Sequence, residues 1–386
     1  MENNIYDFII IGGGISGVTI GNKLYKKYKN ILLLESKNRL GGRIYSKKIN
    51  DNYIEFGAKW VHGNVPHFKI NGLEYFYEKY DNKIIQKFKI VDQKIPSKKI
   101  DKILTKYSRL KIKNSKDRYC NLINFSEDEK NTIDIIFSED FGERICNLSY
   151  SNNDFKIYKG KNKRIINGFS NIDLLKAKCP CKLNSKVIDI VKIYIDNKVI
   201  YKIFTKDKCY FTKRIIFAIP LTILKDKFLN LLSEKKIKIL EKLDMGKVNI
   251  LALFFDKIFW NINTVYWFSH KYPNILFING GKKILYIKEY SKDSNILKNY
   301  EKYIKYYFPN YIKPIKIISK NWNKDKDIKG SWTYHKKNIK KSELKYLKKG
   351  ENNIFLTGEH TSHNRWGTVD GAYESAIQVI RLNNLM

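Results

Sequence analysis

Gly12, Gly14 and Gly17 stand in the run Gly12-Gly13-Gly14-Ile15-Ser16-Gly17, and Glu35 follows about twenty residues on. Residues of these types at this spacing handle phosphates and a ribose. Gly12 permits a tight turn, Gly14 lets the backbone approach a pyrophosphate, and Gly17 lets a helix pack on a strand. Ile15 and Ser16 complete this loop as candidate cofactor contacts, and the helix that follows offers unpaired N–H groups and a partial positive charge to the phosphates. Glu35 can accept hydrogen bonds from an adenosine ribose. This much fits NAD and FAD alike.

The next segment favours FAD. Ser36 to Ile44 reads SKNRLGGRI, a basic turn with paired glycines. Gly41 and Gly42 suit a second close approach to a diphosphate, with Arg43 as a charge-assisted donor. An NAD domain has no general need for this element. Near the other end, Gly358-Glu359-His360-Thr361 forms a polar loop, and Gly367-Thr368-Val369-Asp370-Gly371-Ala372 leads into apolar residues at helical spacing. The spacing predicts a helix from Asp370 to Leu382, capped by Thr368 or Asp370. Its N-terminus would favour negative charge on a reduced flavin.

Elements to hold these groups are legible around them. Phe8-Ile9-Ile10-Ile11 and Ile31-Leu32-Leu33-Leu34 are unbroken apolar runs, as buried parallel strands should be. Val18 to Tyr28 reads as the helix between them. Asn353 to Thr357 is a further short strand. A chain of 386 residues has room for one large domain or two interleaved ones.

The formal net charge of +36 would ordinarily point to nucleic acid. The excess is nearly all Lys, scattered among Asn, Ile and Tyr, while the phosphate-forking Arg is scarce. A compositional bias explains it, with only nonspecific, salt-sensitive attraction to polyanions left over. Cys120, Cys146, Cys179, Cys181 and Cys209 show no framework spacing, so free thiols in a reducing, cytoplasmic setting are expected. Cys179-Pro180-Cys181 is too tight for a zinc half-site and reads as a loop; no metal site is expected. No apolar run reaches the roughly 18 residues of a membrane span. No signal peptide is expected either, because the first strand begins by Ile5. Oligomeric state is not legible.

Together the segments FIIIGGGISG (8–17), ILLLES (31–36), RLGGR (39–43), FGAKWVHG (56–63), RIIFAIPLTILK (214–225), MGKVN…FFDKIFW (245–260), KGSWTY (329–334) and LTGEHTS…GTVDGAYESA (356–376) resemble the flavin-containing amine oxidases. The likeness is to the polyamine oxidase branch above all. It implies an α/β fold: a Rossmann-like FAD-binding domain from residues 1–77, 161–245 and 346–386. A second, discontinuous α+β substrate domain would take 78–160, as a helical excursion, and 246–345. The implied cofactor contacts include Gly57, Ala58, Lys59 and Trp60, with Val187 at the adenine end. Ser36, Gly358, Glu359, Thr368 and Val369 belong to the same implied set. Ser331 stands where monoamine oxidases carry a flavin-linked cysteine, and a serine cannot form that thioether, so FAD would be noncovalent. Thr368 replaces a cage tyrosine.

The resemblance further implies hydride transfer from the carbon beside an amine nitrogen to flavin N5, with O2 as electron acceptor. Trp60 and Trp332 would align the substrate, and His62 would orient or deprotonate the amine. One departure stands out. The family's N5-side lysine falls at Ile250, after Asn249. Lys247, three residues earlier, would face the other way along a strand. That departure leaves as a rival a flavoprotein with weak or no oxidase activity, a dehydrogenase or a scaffold; the charge suggests a nucleic-acid or chromatin-linked binder, and the shared FAD-binding ends a carotenoid or porphyrinogen oxidase.

Overall fold

The computed structural model describes residues 4–50, 52–65, 75–77, 88–90, 102–103, 105–106, 124–144, 147–148, 163–165, 167–262, 266–268, 271–272, 274–293, 295–336 and 338–386. Most of the helical excursion expected over 78–160 lies outside these residues, as do Cys120 and Cys146. The chain divides into two compact units. One comprises Met1–Glu78, Lys156–Asp244 and Ile339–Met386; the other comprises Lys79–Phe155 and Met245–Asn338. The helix Lys341–Leu347 falls in the first unit, although the sequence reading gave most of it to the second. Its Leu344 and Leu347 are buried, and its Glu343 pairs with Lys242 at 2.6 Å, which ties it there.

The first unit is built on a five-stranded, all-parallel sheet. In space the strands run Cys181–Lys182, Ile31–Leu34, Phe8–Ile11, Ile215–Phe217, Ile354–Leu356. In chain order that is 3-2-1-4-5, the arrangement of dinucleotide-binding sheets. Continuous apolar runs are required because such a sheet is covered on both faces, and all four residues of both N-terminal strands are buried. The helices Ile15–Leu24 and Val369–Leu382 bury Val18, Ile20, Leu24, Ala376, Val379 and Ile380 in one cluster with Phe8, Ile10, Ile31, Leu33 and Ile216.

Two details correct the sequence reading. The first helix begins at Ile15 and ends at Leu24, where Tyr25 caps it, four residues short of the expected Tyr28. Cys179-Pro180-Cys181 is not wholly loop. Cys181 opens the edge strand and pairs with Leu33, since Pro180 can precede a strand but cannot donate within one.

A four-stranded sheet accompanies this core, with the hairpin Val187–Ile195 and Lys198–Thr205 turned by Asp196 and Asn197 at φ 47° and 60°. Both residues tolerate the left-handed region that such a turn demands.

The second unit centres on a six-stranded sheet ordered Lys316–Asn321, Val248–Phe254, Ile284–Tyr290, Ile275–Gly281, Tyr266–Phe268, Phe88–Ile90. The helix Ile296–Tyr307 covers one face, burying Ile296, Tyr303, Ile304 and Tyr307 against Leu251, Leu253, Leu285 and Ile287. The helix Glu127–Phe141 starts with a Ser126–Glu129 capping box and stops at Gly142, at φ 70°.

Candidate functional site

The glycine turn is fixed by its contacts. Gly12 has φ 104°, and a Cβ there would stand 2.6 Å from the Ala218 carbonyl oxygen. A Cβ on Gly17 would meet the Gly12 carbonyl oxygen at 1.9 Å, so the helix start is pressed directly onto the turn. Gly14 differs: a Cβ there meets nothing within 4 Å. Gly14 is also the helix N-cap, and no side chain caps it. An uncapped N-terminus behind an open glycine face is the cradle that a diphosphate requires.

Glu35 is buried at the end of the second strand. Its Oε2 accepts from Gly13 N at 2.6 Å; its Oε1 accepts from Lys37 N at 2.8 Å and from the Ser36 hydroxyl at 3.2 Å. A carboxylate has about four acceptor sites, so room for a ribose hydroxyl remains. Gly13, which the sequence reading passed over, thus aims the acid.

The second glycine turn lies against the first. Gly41 N donates to Gly13 O at 2.9 Å, and the Cβ direction of Gly42 points at Gly14 Cα, 3.5 Å away. Arg39 braces this turn, donating to the carbonyls of Leu40, Gly42 and Ile44 at 2.8–3.1 Å. Its guanidinium also lies 4.2 Å from the Tyr45 ring centre. Sequence reasoning did not single out Arg39, because nothing in the run RLGGR says which carbonyls its guanidinium reaches.

Arg43 reaches Glu359, with Nη1 2.7 Å from Oε1. The other Glu359 oxygen accepts from Gly367 N at 2.6 Å. Glu359 therefore spends its charge within the protein, holding Arg43 and the loop ahead of the last helix. Gly358 N donates to the Ser375 hydroxyl at 2.9 Å, which seats the same loop on that helix. Thr368, not Asp370, is the N-cap: its hydroxyl accepts from Gly371 N at 3.0 Å and donates to Arg365 O at 2.7 Å. Val369 begins the helix.

The segment Gly57-Ala58-Lys59-Trp60 is fastened to Arg43. Ala58 N donates to Arg43 O at 3.2 Å, and a Cβ on Gly57 would stand 1.8 Å from that oxygen. Trp60 and Val61 form a short strand against Lys163–Ile165, in which Trp60 faces Arg164. The His62 carbonyl accepts from Arg365 at 3.3 Å. A single apolar cluster ties these pieces together, containing Ile15, Ile44, Val61 and Ala372. These four residues come from the first helix start, the second glycine turn, the Trp60 strand and the last helix start. Val187 stands apart at the head of its hairpin, buried and paired with Thr205.

Two further buried groups were not read from the sequence. His360 is 1% exposed, and neither ring nitrogen has a hydrogen-bond partner among the described residues. Burial pushes its pKa down to about 4, with Glu359 opposing and Arg43 and Lys348 assisting. Lys348 is buried as well, its ammonium donating to Thr361 O at 2.6 Å, and burial lowers its pKa to about 8.

Trp332 and Ser331 belong to the second unit, where Gly246 N donates to Trp332 O at 2.9 Å. A Cβ on Gly142 would meet the Trp332 ring at 2.8 Å. Ile250 is buried in its strand, flanked in register by Lys288 on one side and Lys320 on the other. Both lysines are ion-paired: Lys288 with Glu139 at 2.8 Å, Lys320 with Asp325 at 2.6 Å. Lys247 precedes the strand, and its ammonium donates to Lys329 O at 3.2 Å.

The parallel sheet, the glycine turn at the first helix and the buried acid after the second strand define an α/β dinucleotide-binding protein. Residues 10–72 match the NAD(P)-binding Rossmann-like domain, and residues 133–379 match the flavin-containing amine oxidoreductases. That second match covers more than half of the chain, which belongs to this family. A polyamine oxidase of Oryza sativa subsp. japonica is 22% identical over 96% of this chain and 87% of its own length. One of Arabidopsis thaliana is 21% identical over 98% and 88%. A nicotine dehydrogenase of Pseudomonas putida is 40% identical, over only 16% of this chain and 13% of its own. The protein is an oxidoreductase acting on amines, with noncovalent FAD as its cofactor. Among the described residues no helix is long and apolar enough to cross a membrane, and no cluster of metal-ligating groups occurs.

Proposed function

We propose that the chain oxidises a polyamine-like amine, with O2 as the final electron acceptor. The observation that carries this reading is the Ile15–Ile44–Val61–Ala372 cluster, which gathers two glycine turns, two helix N-termini and the Trp60–Gly63 segment. In this reading Gly12, Gly14, Ile15, Ser16 and Gly17 hold the diphosphate, while Glu35 and Ser36 hold the ribose. Gly41, Gly42 and Arg43 support the diphosphate from the second turn. Gly57, Ala58, Lys59, Gly358, Glu359, Thr368 and Val369 line the rest of the cofactor, and Val187 meets the adenine end. When bound, FAD supplies an acceptor for a hydride from the carbon beside the amine nitrogen.

The protein's own task is to present the amine neutral and aligned. An alkylammonium with a pKa of about 10.4 loses its proton at pH 7 at a cost on the order of 4–5 kcal/mol. Desolvation against aromatic walls lowers that cost. Trp60 supplies one wall, and His62 orients the amine or takes its proton. The free thiols of Cys179, Cys181 and Cys209 favour a reducing, cytoplasmic setting.

A second reading has a specific observation behind it. Ile250 is apolar, and the lysines flanking it are held by Glu139 and Asp325. That arrangement favours a dehydrogenase, or a flavoprotein that reacts slowly with O2. Anaerobic bleaching of the bound flavin across an amine panel, followed by admission of air, tests both. Bleaching by polyamines with rapid recovery and peroxide supports the oxidase. Bleaching without recovery supports the second reading, and absence of bleaching by every amine removes both.

A further inference from the structure

The guanidinium of Arg365 lies between two acceptors: Nη1 stands 2.5 Å from the Asp370 carboxylate and 3.3 Å from the His62 carbonyl oxygen. Asp370 is buried in the first turn of the last helix. The backbone of Arg365 is fixed as well. Its carbonyl takes the Thr368 hydroxyl, and a Cβ on Gly371 would stand 1.8 Å from the same oxygen. One end of the residue is thus locked to the helix start, while the other holds the main chain at His62. Beyond His62 the chain turns at Gly63, at φ 63°, a natural pivot if the tie were cut.

We propose that Arg365, oriented by Asp370, is the positioning residue for His62. It fixes the end of the Trp60–Val61 strand against the N-terminus of the last helix. The inference rests on the reading of His62 as the amine-orienting group. A catalytic group displaced by about 1 Å loses on the order of a hundredfold in rate, so a tie at this point is worth having. A merely structural ion pair would hold the helix start without regard to what residue 62 carries.

That contrast supplies the test. Removing Arg365 alone would strand a buried Asp370 charge, so the variant is the double change Arg365→Met with Asp370→Asn. In the FAD-loaded full chain, anaerobic bleaching by amine should slow at least tenfold. In a His62→Gln background the same double change should slow it less than twofold further, because the two act through one group. Arg365→Lys, which keeps the charge but lacks the planar guanidinium fork, should recover part of the rate. As an independent readout, the ring-proton NMR signal of His62 in the apo-protein should shift or broaden in the double variant. Equal slowing in both backgrounds, or an unmoved His62 signal, overturns the proposal. A shifted signal in a protein that no amine bleaches would keep the tie and remove the amine reading instead.

Discussion

Arg43 and Glu359, 316 positions apart in the chain, meet at 2.7 Å and join the second glycine turn to the loop ahead of the last helix. The carboxylate is buried and the guanidinium about a quarter exposed, so the pair is screened on one side only. Hydrogen bonds to charged groups contribute about 1.5–3 kcal/mol. Glu359→Gln should accordingly weaken FAD binding by roughly tenfold to a hundredfold, read by titrating apo-protein with FAD. Undiminished affinity would mean that Arg43 is held without Glu359.

Gly14 and Gly17 should respond differently to alanine. At Gly17 the new methyl collides with Gly12 O, so the apo-protein itself should lose several degrees of melting temperature. At Gly14 the space is open. Gly14→Ala should melt like the parent yet bind FAD poorly, because the methyl occupies the diphosphate's approach. A Gly14→Ala protein with parental FAD affinity would place the phosphates elsewhere.

His360 gives stability a defined pH dependence. Its folded pKa of about 4 lies below the ordinary 6.5, so between those values the unfolded chain binds a proton that the folded one refuses. Stability is fully present above pH 6.5 and falls as pH drops toward 4, by up to roughly 3 kcal/mol. His360→Leu should flatten the urea midpoint over this range. It should cost little at pH 7, since the imidazole nitrogens it removes have no partner among the described residues.

Glu55 works in the opposite sense. Burial raises its pKa to about 7, against hydrogen bonds from Ser46 and Phe169 N and the charges of Lys59 and Arg164. The unfolded chain releases this proton near 4.5, the folded one only near 7. Stability is therefore greatest below 4.5 and declines as pH rises to 7, again by roughly 3 kcal/mol at most. Glu55→Gln should abolish that decline, measured as the urea midpoint between pH 5 and 8.

How much of this was written in the sequence depends on the range over which each contact acts. The turn at Gly12–Gly17 and the acid at Glu35 were legible because strand, turn, helix and strand follow one another within about thirty residues. The cap of the last helix was narrowed to Thr368 or Asp370 from local pattern, and only the Gly371 N–H bond to the Thr368 hydroxyl decides between them. Arg365 and Arg39 were not, because what matters is which carbonyls their guanidinia reach, and no periodicity encodes that. Cys181 was read as loop because a two-residue edge strand leaves no pattern. The relation of Ile250 to Lys288 and Lys320 is set by strand register, which depends on partners more than thirty residues away.

The order of the parallel sheet bears on how the protein is made. The nucleotide half-site occupies the first forty-odd residues, but its fourth strand arrives at 215–217 and its fifth at 354–356. During synthesis the first strand therefore keeps an open hydrophobic edge at least until residues 215–217 have been made. A chain cut between the fourth and fifth strands would leave the edge of Ile215–Phe217 unpaired, a template for association with another copy.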